Sequence, residues 1–420
     1  MTGRTRSLRL AARLVVAAAL ACAAPRARAA GEAPADTLPA PDSARVVFTT
    51  TAWRSTPFGE RLLTDPAQWR EGVWHHQRVQ PLLDYNRVDP MRLGLQWEAQ
   101  ASQTMLPRLG ARVEYATGRE RWLYGVQLEQ PLLARGQVAL GVAMVRRTDH
   151  NDLQQVEDAE NSLALLFGRQ DYRDYFEREG FGAYLAWRLP DRSIASVHVR
   201  NDDYRSLALW EGTRSWMFPD RTLRANPPVA EGEIRALLMR FERVAYRTER
   251  TRAGFYHWIE AERAGGALGG IARYTRLLGD VRSVLRLSPA TTLTLRGVAG
   301  HTADGTLPPQ KQFVAGGVDG LRAHMFDAFR GDQVLLGQAE YDIGLWQLRT
   351  SAFEGGLHAL AFLDTGRAWR GRFDPGGQHF AADGGFGVGT SEDNMRVYFA
   401  RNLQQPRANF VVSVRLQRPF

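Results

Sequence analysis

The sequence predicts an all-β fold, a transmembrane antiparallel β-barrel of sixteen strands. Three observations predict it: an export leader, two-residue alternation of apolar and polar side chains along most of the chain, and a terminal Phe420 with apolar residues at every second position before it.

The leader comes first. Arg4, Arg6, Arg9 and Arg13 make a basic start, Leu14 to Ala24 an apolar run, and Ala27-Arg28-Ala29 a small-x-small cleavage site. Together they read as a secretory signal over residues 1–29. The run is shorter than the roughly 20 residues of a spanning helix. No later stretch approaches that length, which excludes a helical membrane protein. Cys22, the one cysteine, lies inside the leader, so the mature chain is expected to hold no disulfide. Ala19-Leu20-Ala21-Cys22 has the outline of a lipoprotein processing site, but the Ala-x-Ala site after it is the better match.

The chain carries 54 basic and 45 acidic residues, a net +9. Six arginines and no acids lie in residues 1–29, which leaves 48 basic against 45 acidic, or +3. That balance gives no footing for nucleic-acid binding. An apolar content of 44% suits a soluble protein and a barrel alike, because only alternate residues of a barrel face lipid. Residues 30–44 read as a polar linker, and residues 45–420 as the barrel.

Strands follow from the period of two. Met91, Leu93, Leu95 and Trp97 face one way, Arg92, Gly94, Gln96 and Glu98 the other. Leu109, Ala111, Val113 and Tyr115 alternate with Arg108, Gly110, Arg112 and Glu114. Trp122, Tyr124, Val126 and Leu128 alternate with Gly125, Gln127 and Glu129. Each run is a strand with one apolar face. The other face is rich in Arg, Glu, Gln and Gly, and aromatic residues cluster near strand ends. A barrel with lipid outside and a polar lumen explains this better than a soluble sandwich.

Fifteen strands are expected near 91–101, 107–117, 121–132, 137–148, 182–190, 193–205, 233–247, 253–264, 271–289, 291–303, 333–346, 355–369, 383–391, 395–403 and 408–419. The long connections 149–181, 206–232 and 304–332 all fall on one side, as extracellular loops do. An even number closes an antiparallel barrel, and residues 45–53 are the expected sixteenth strand. Residues 54–90 receive no element. Within the first long loop, Leu163, Leu166, Phe167, Tyr175 and Phe176 recur at helical spacing. They predict a short amphipathic helix over 160–178, packed on the barrel rim as a cover.

Val412, Val414, Leu416 and Phe420 resemble the C-terminal signal by which outer-membrane barrels are recognised for assembly. Arg418 stands where that pattern has a tyrosine or an apolar residue. The resemblance implies the outer membrane of a Gram-negative bacterium.

A second resemblance lies before the eleventh of these strands. The chain reads Phe313-Val-Ala-Gly-Gly317, then Gly320-Leu-Arg322-Ala-His324, Phe329-Arg-Gly-Asp332, Gln338-Ala-Glu340-Tyr341 and Phe362-Leu-Asp364-Thr-Gly366. This succession resembles the bacterial surface antigen and BamA/TamA-type assembly-factor family, which includes two-partner secretion transporters. The entry sequence 83–94 is similar as well. The resemblance implies a loop folded back into the lumen, with Gly316, Gly317, Leu321, Arg322, Ala323 and His324 at its tip. It implies that Glu340 and Asp364 are the acidic partners of Arg322. Alternation independently puts Glu340 on the polar face with Gln338 and Asp342, and a guanidinium fork suits two carboxylates. Here the tip reads Arg-Ala-His where the family has Arg-Gly-aromatic. The family's assembly factors carry periplasmic POTRA domains, whereas only about 60 residues separate the cleavage site from Asn86, so those domains are expected to be absent.

The function so implied is assembly or translocation of outer-membrane proteins or lipids without covalent chemistry. Outer-membrane lipids and periplasmic or outer-membrane proteins would be the partners. A passive pore or structural surface barrel is the alternative. No Gly-x-Ser-x-Gly, His-Glu-x-x-His or phosphate loop is present, so no enzyme, cofactor or metal site is expected. A surface hydrolase would draw on His301, Asp304, His324 and Asp327, and a metal on His75-His76; neither spacing is specific. Gly385-Phe-Gly387-Val-Gly389 lacks the βαβ setting of a dinucleotide site and reads as a strand of small residues beside the inward loop.

Overall fold

The computed structural model describes residues 76–415, apart from 101–105, 134–136, 154, 157, 190, 192, 244–252, 350–353, 391–394, 406 and 408. The leader, the linker, residues 45–53, His75, Leu416 and Phe420 lie outside the described residues.

The strands, in chain order, are β1 (His76–Asp84), β2 (Arg92–Gln100), β3 (Arg108–Ala116), β4 (Arg121–Pro131), β5 (Val138–His150) and β6 (Tyr175–Arg188). Then come β7 (Ile194–Ser206), β8 (Gly232–Arg243), β9 (Gly254–Ala264), β10 (Tyr274–Ser288), β11 (Thr291–Gly305), β12 (Phe313–Val314) and β13 (Arg330–Gly331). The last are β14 (Gln333–Arg349), β15 (Glu354–Trp369), β16 (Ala381–Thr390), β17 (Arg396–Asn402) and β18 (Val411–Arg415). Helix α1 (Asp158–Gly168) lies between β5 and β6.

Sixteen strands form one antiparallel sheet in strict chain order, with β1 and β18 at its two ends. The short pair β12–β13 stands apart, within the connection from β11 to β14. The strand that completes sixteen in this sheet is β1, inside the segment 54–90 that received no element; residues 45–53, where it was expected, lie outside the described residues. Pro81 disguised it, because proline in a run argues against a strand. It is tolerated in a terminal strand of a sheet, and there it pairs with Leu95.

Alternation decides what each face meets. On β3 and β4, Leu109, Val113, Trp122, Val126 and Leu128 are exposed, while Arg108, Glu114, Gln127 and Glu129 are buried. A single sheet buries its polar face only by curling around it. Apolar outside and polar inside is the arrangement of a membrane-spanning barrel, in which every backbone group is paired along the wall. Among the described residues, no helix is long and apolar enough to cross a membrane.

The lumen is held by matched charges. Arg178 bonds Asp149 and Asp202 at 2.9 and 3.0 Å, and Arg276 meets Glu260 at 3.2 Å and Asp152 at 2.7 Å. Buried charges of this kind are tolerated when paired. Beside them, Phe313, Leu321, Tyr274 and Val334 form an apolar island.

Helix α1 is shorter than the sequence suggested. It ends at Gly168, Arg169 follows with a φ of +51°, and Tyr175 and Phe176 open β6. Their helical spacing is a coincidence of the connecting segment. One face of α1 is packed, with Glu160, Asn161 and Leu165 buried, while Leu163, Leu166 and Phe167 are exposed.

Candidate functional site

The 306–332 connection folds into the lumen. Leu307, Phe313, Ala315, Leu321 and Arg322 are all buried. Its tip is a tight reversal: Leu321 N donates to Ala315 O at 2.7 Å, Gly320 N to Gly317 O at 3.0 Å, and Gly317 N to His324 O at 3.1 Å. Gly317 takes a φ of +83°, and a Cβ on Gly320 would meet Ala315 O at 2.2 Å. Glycine is required at both positions.

Arg322 sits between two wall strands. Its Nη1 donates to Glu340 Oε2 at 2.9 Å and its Nη2 to Asp364 Oδ1 at 3.3 Å, with Nε 3.1 Å from Asp364 Oδ2. Its guanidinium is stacked 4.1 Å from the Phe362 ring and 4.7 Å from that of Tyr398. Arg396 bonds Glu340 and reaches Asp342 at 2.7 Å. Tyr398 donates to Glu340 at 2.9 Å. Gln338 binds both Asp364 at 3.1 Å and the tip carbonyl of Gly320 at 2.8 Å. The tip continues into Asp383, which accepts from Ala323 N at 2.7 Å and lies 3.0 Å from His324 Nδ1. Leu321 itself packs in the apolar island, and a Cβ on Gly316 would strike Met325 O at 2.0 Å.

A second set of contacts spans the ends of the sheet. Arg415 of β18 meets Glu160 of α1 at 2.5 Å and Asp319 of the inward loop at 2.9 Å. Ser162, also on α1, donates to Asp84 of β1 at 2.9 Å and accepts from Tyr85 N at 2.9 Å. Gln155 N donates to Asp319 at 2.7 Å. Helix α1 thus reaches both β1 and β18 by side chains. At its start, Asp158 accepts from Arg173 at 2.5 Å. Burial alone would raise the Asp158 carboxyl, but Arg173, Arg92 and Arg112 outweigh it and hold that group below the usual carboxylate range.

The other singled-out residues have separate partners. His301 pairs with Gln333, Asp304 with Arg263, and Asp327 with Arg224, while His324 turns to Asp383. The four do not form a common cluster through these contacts. Among the described residues no group of three or more His, Cys, Asp or Glu is placed to hold a metal; the His75-His76 pair lies outside the described side chains. Gly385 and Gly387 make room for Phe362 and Tyr398, and so serve the aromatic clamp around Arg322 more than the loop backbone. Val412 and Val414 are exposed on the apolar face of β18.

Sequence reading missed Arg396, Tyr398, Asp383, Glu160, Asp319 and Arg415. Alternation already puts Arg396 and Tyr398 on one polar face, and Arg415 on another. What it lacks is any measure of which polar residues converge from distant strands.

No family model and no curated protein matches this sequence. Solved structures do resemble it. BamA from Haemophilus ducreyi lacking POTRA domains 1–3 has a TM-score of 0.52 at 12% identity, over 80% of this chain and 70% of that one. CdiB from Acinetobacter baumannii gives 0.44 at 12% identity, over 79% of this chain and 57% of that one. CdiB from Escherichia coli gives 0.46 at 10% identity, over 80% and 61%. The BamA likeness bears on the fold.

Proposed function

We propose that the chain is an outer-membrane barrel that assembles or translocates other proteins, or lipids, without covalent chemistry. The observation that carries this reading is an inward loop pinned in the lumen together with a helix, α1, that reaches both β1 and β18 by side chains. A passive pore needs an open channel, and this lumen holds a loop pinned at Arg322 by Glu340 and Asp364. The ends of the sheet are linked by Glu160–Arg415 and Ser162–Asp84. In this reading the seam between β1 and β18 opens and presents their edges to an incoming strand. Arg322 braces β14 and β15 near that edge, so the loop keeps its place while the seam moves.

The test is reconstitution in phospholipid vesicles. The expected result is faster insertion of an unfolded outer-membrane barrel protein than into protein-free vesicles. Steady ion conductance with no gain in insertion would establish the pore instead.

A further inference from the structure

Two arginines on the outer face of the last strands are matched differently from those in the lumen. On β15, Phe362 and Asp364 are buried and turn inward, so Leu363, Thr365 and Arg367 face out. On β17, Tyr398 and Ala400 are buried, so Val397, Phe399 and Arg401 face out. Among the described residues, neither arginine meets a carboxylate. Arg367 donates to His379 O at 2.7 Å and lies 5.7 Å from the Phe329 ring, and Arg401 lies 5.7 Å from the Phe410 ring. The Nε of each has no hydrogen-bond partner. Strand β16 runs between them and offers no counter-charge, because Ala382 and Gly384 face out while Asp383 turns in to the loop tip.

The two arginines mark the edge of a lipid-facing band. Phe399, two residues before Arg401, stacks on Phe386 at 5.1 Å, and Phe410 meets Phe386 edge-on at 5.9 Å. Phe386, Phe410 and Leu363 are exposed. An aromatic girdle of this kind borders the hydrocarbon zone of a membrane-spanning barrel, and arginines just beyond it reach the head groups. The adjoining loops add the exposed Arg370, Arg372 and Arg407, against Asp332 and Asp374. Five arginines against two carboxylates leave a net +3.

We propose that this strip seats the phosphate of an anionic membrane lipid, with the lipid's chains on the aromatic band. Guanidiniums bind phosphate through paired charge-assisted bonds, and clusters of them favour anionic head groups. The band beside them favours a lipid over a free anion, because Leu363 and Phe399 stand on the same outward rows as Arg367 and Arg401. The site needs only the membrane-spanning wall, and stands whether or not the barrel assembles proteins.

Native mass spectrometry of the detergent-held protein tests it, with equal amounts of phosphatidylglycerol and phosphatidylcholine as probes. The parent protein should retain phosphatidylglycerol several-fold more than phosphatidylcholine. Arg367→Gln with Arg401→Gln should bring the two lipids to parity. Arg235→Gln with Arg263→Gln removes the same charge from β8 and β9, where each arginine already meets a carboxylate, and should keep the preference. No preference in the parent, a preference that survives the first double variant, or an equal loss in both would overturn the proposal. Displacement of the lipid by millimolar inorganic phosphate would overturn it as well, in favour of a soluble anion. Arg401→Gln alone serves the same measurement if the double variant fails to fold.

Discussion

The guanidinium of Arg415, on the last wall strand, lies 2.5 Å from the carboxylate of Glu160 on the loop helix. Both side chains are buried, and Arg415 is shared with Asp319 of the inward loop. Three parts of the chain that are far apart in sequence meet at this one charge. Glu160→Ala leaves Arg415 with Asp319 and the Val318 carbonyl, at an expected cost of about 1–3 kcal/mol. The folded band on semi-native gels should convert to the unfolded band at a lower temperature. An unchanged conversion temperature would show that α1 does not hold the seam.

Arg322 carries more. Arg322→Ala takes the guanidinium from Asp364, leaving it Gln338, and from Glu340, which keeps Arg396 and Tyr398, and removing one partner of a buried pair costs about 3–5 kcal/mol. Arg322→Lys keeps the charge but loses the fork and the ring stacking, so its heat resistance should fall between that of Ala and the parent protein. Equal heat resistance in all three proteins would refute the bracing role.

The tip depends on its glycines. A Cβ on Gly320 would sit 2.2 Å from Ala315 O, a backbone atom that has nowhere to retreat. Gly320→Ala should loosen the loop and open Arg322 to trypsin in folded, detergent-held protein. Resistance equal to the parent's would mean that the reversal tolerates a side chain.

Much of this architecture was legible in the sequence, and the reasons are physical. Alternation located fifteen strands because every second side chain faces lipid, a constraint as regular as the strand itself. The first strand was hidden by Pro81, tolerated there only because β1 ends the sheet. The stop of α1 was missed because Tyr175 and Phe176 keep helical spacing by chance. At the site, the resemblance to the assembly-factor family pointed to Arg322, Glu340 and Asp364, and alternation independently put Glu340 on the polar face. The partners Arg396, Tyr398 and Arg415 depend on which strands face each other across the lumen. Glu160 depends on where a loop helix docks. One-dimensional periodicity carries neither.

The Asp158–Arg173 contact makes α1 sensitive to acid. The Asp158 carboxyl is depressed in the folded chain, so its contribution is complete above the unfolded value of about 3.9 and is lost as pH falls below it. A spin label on Phe167→Cys should stay immobile from neutral pH down to about pH 4 and gain mobility below that. Asp158→Asn should remove the transition. The same acid transition in the Asn variant would assign it to another group.

The most direct test of the whole account locks the seam. In a Cys22→Ser background, Glu160→Cys and Arg415→Cys are joined by a reducible thiol crosslinker long enough to replace the ion pair, and the protein is placed in vesicles with an unfolded outer-membrane barrel protein. The account predicts no acceleration of insertion while the crosslink holds and full acceleration after reduction. Equal acceleration in the locked and reduced states would contradict it.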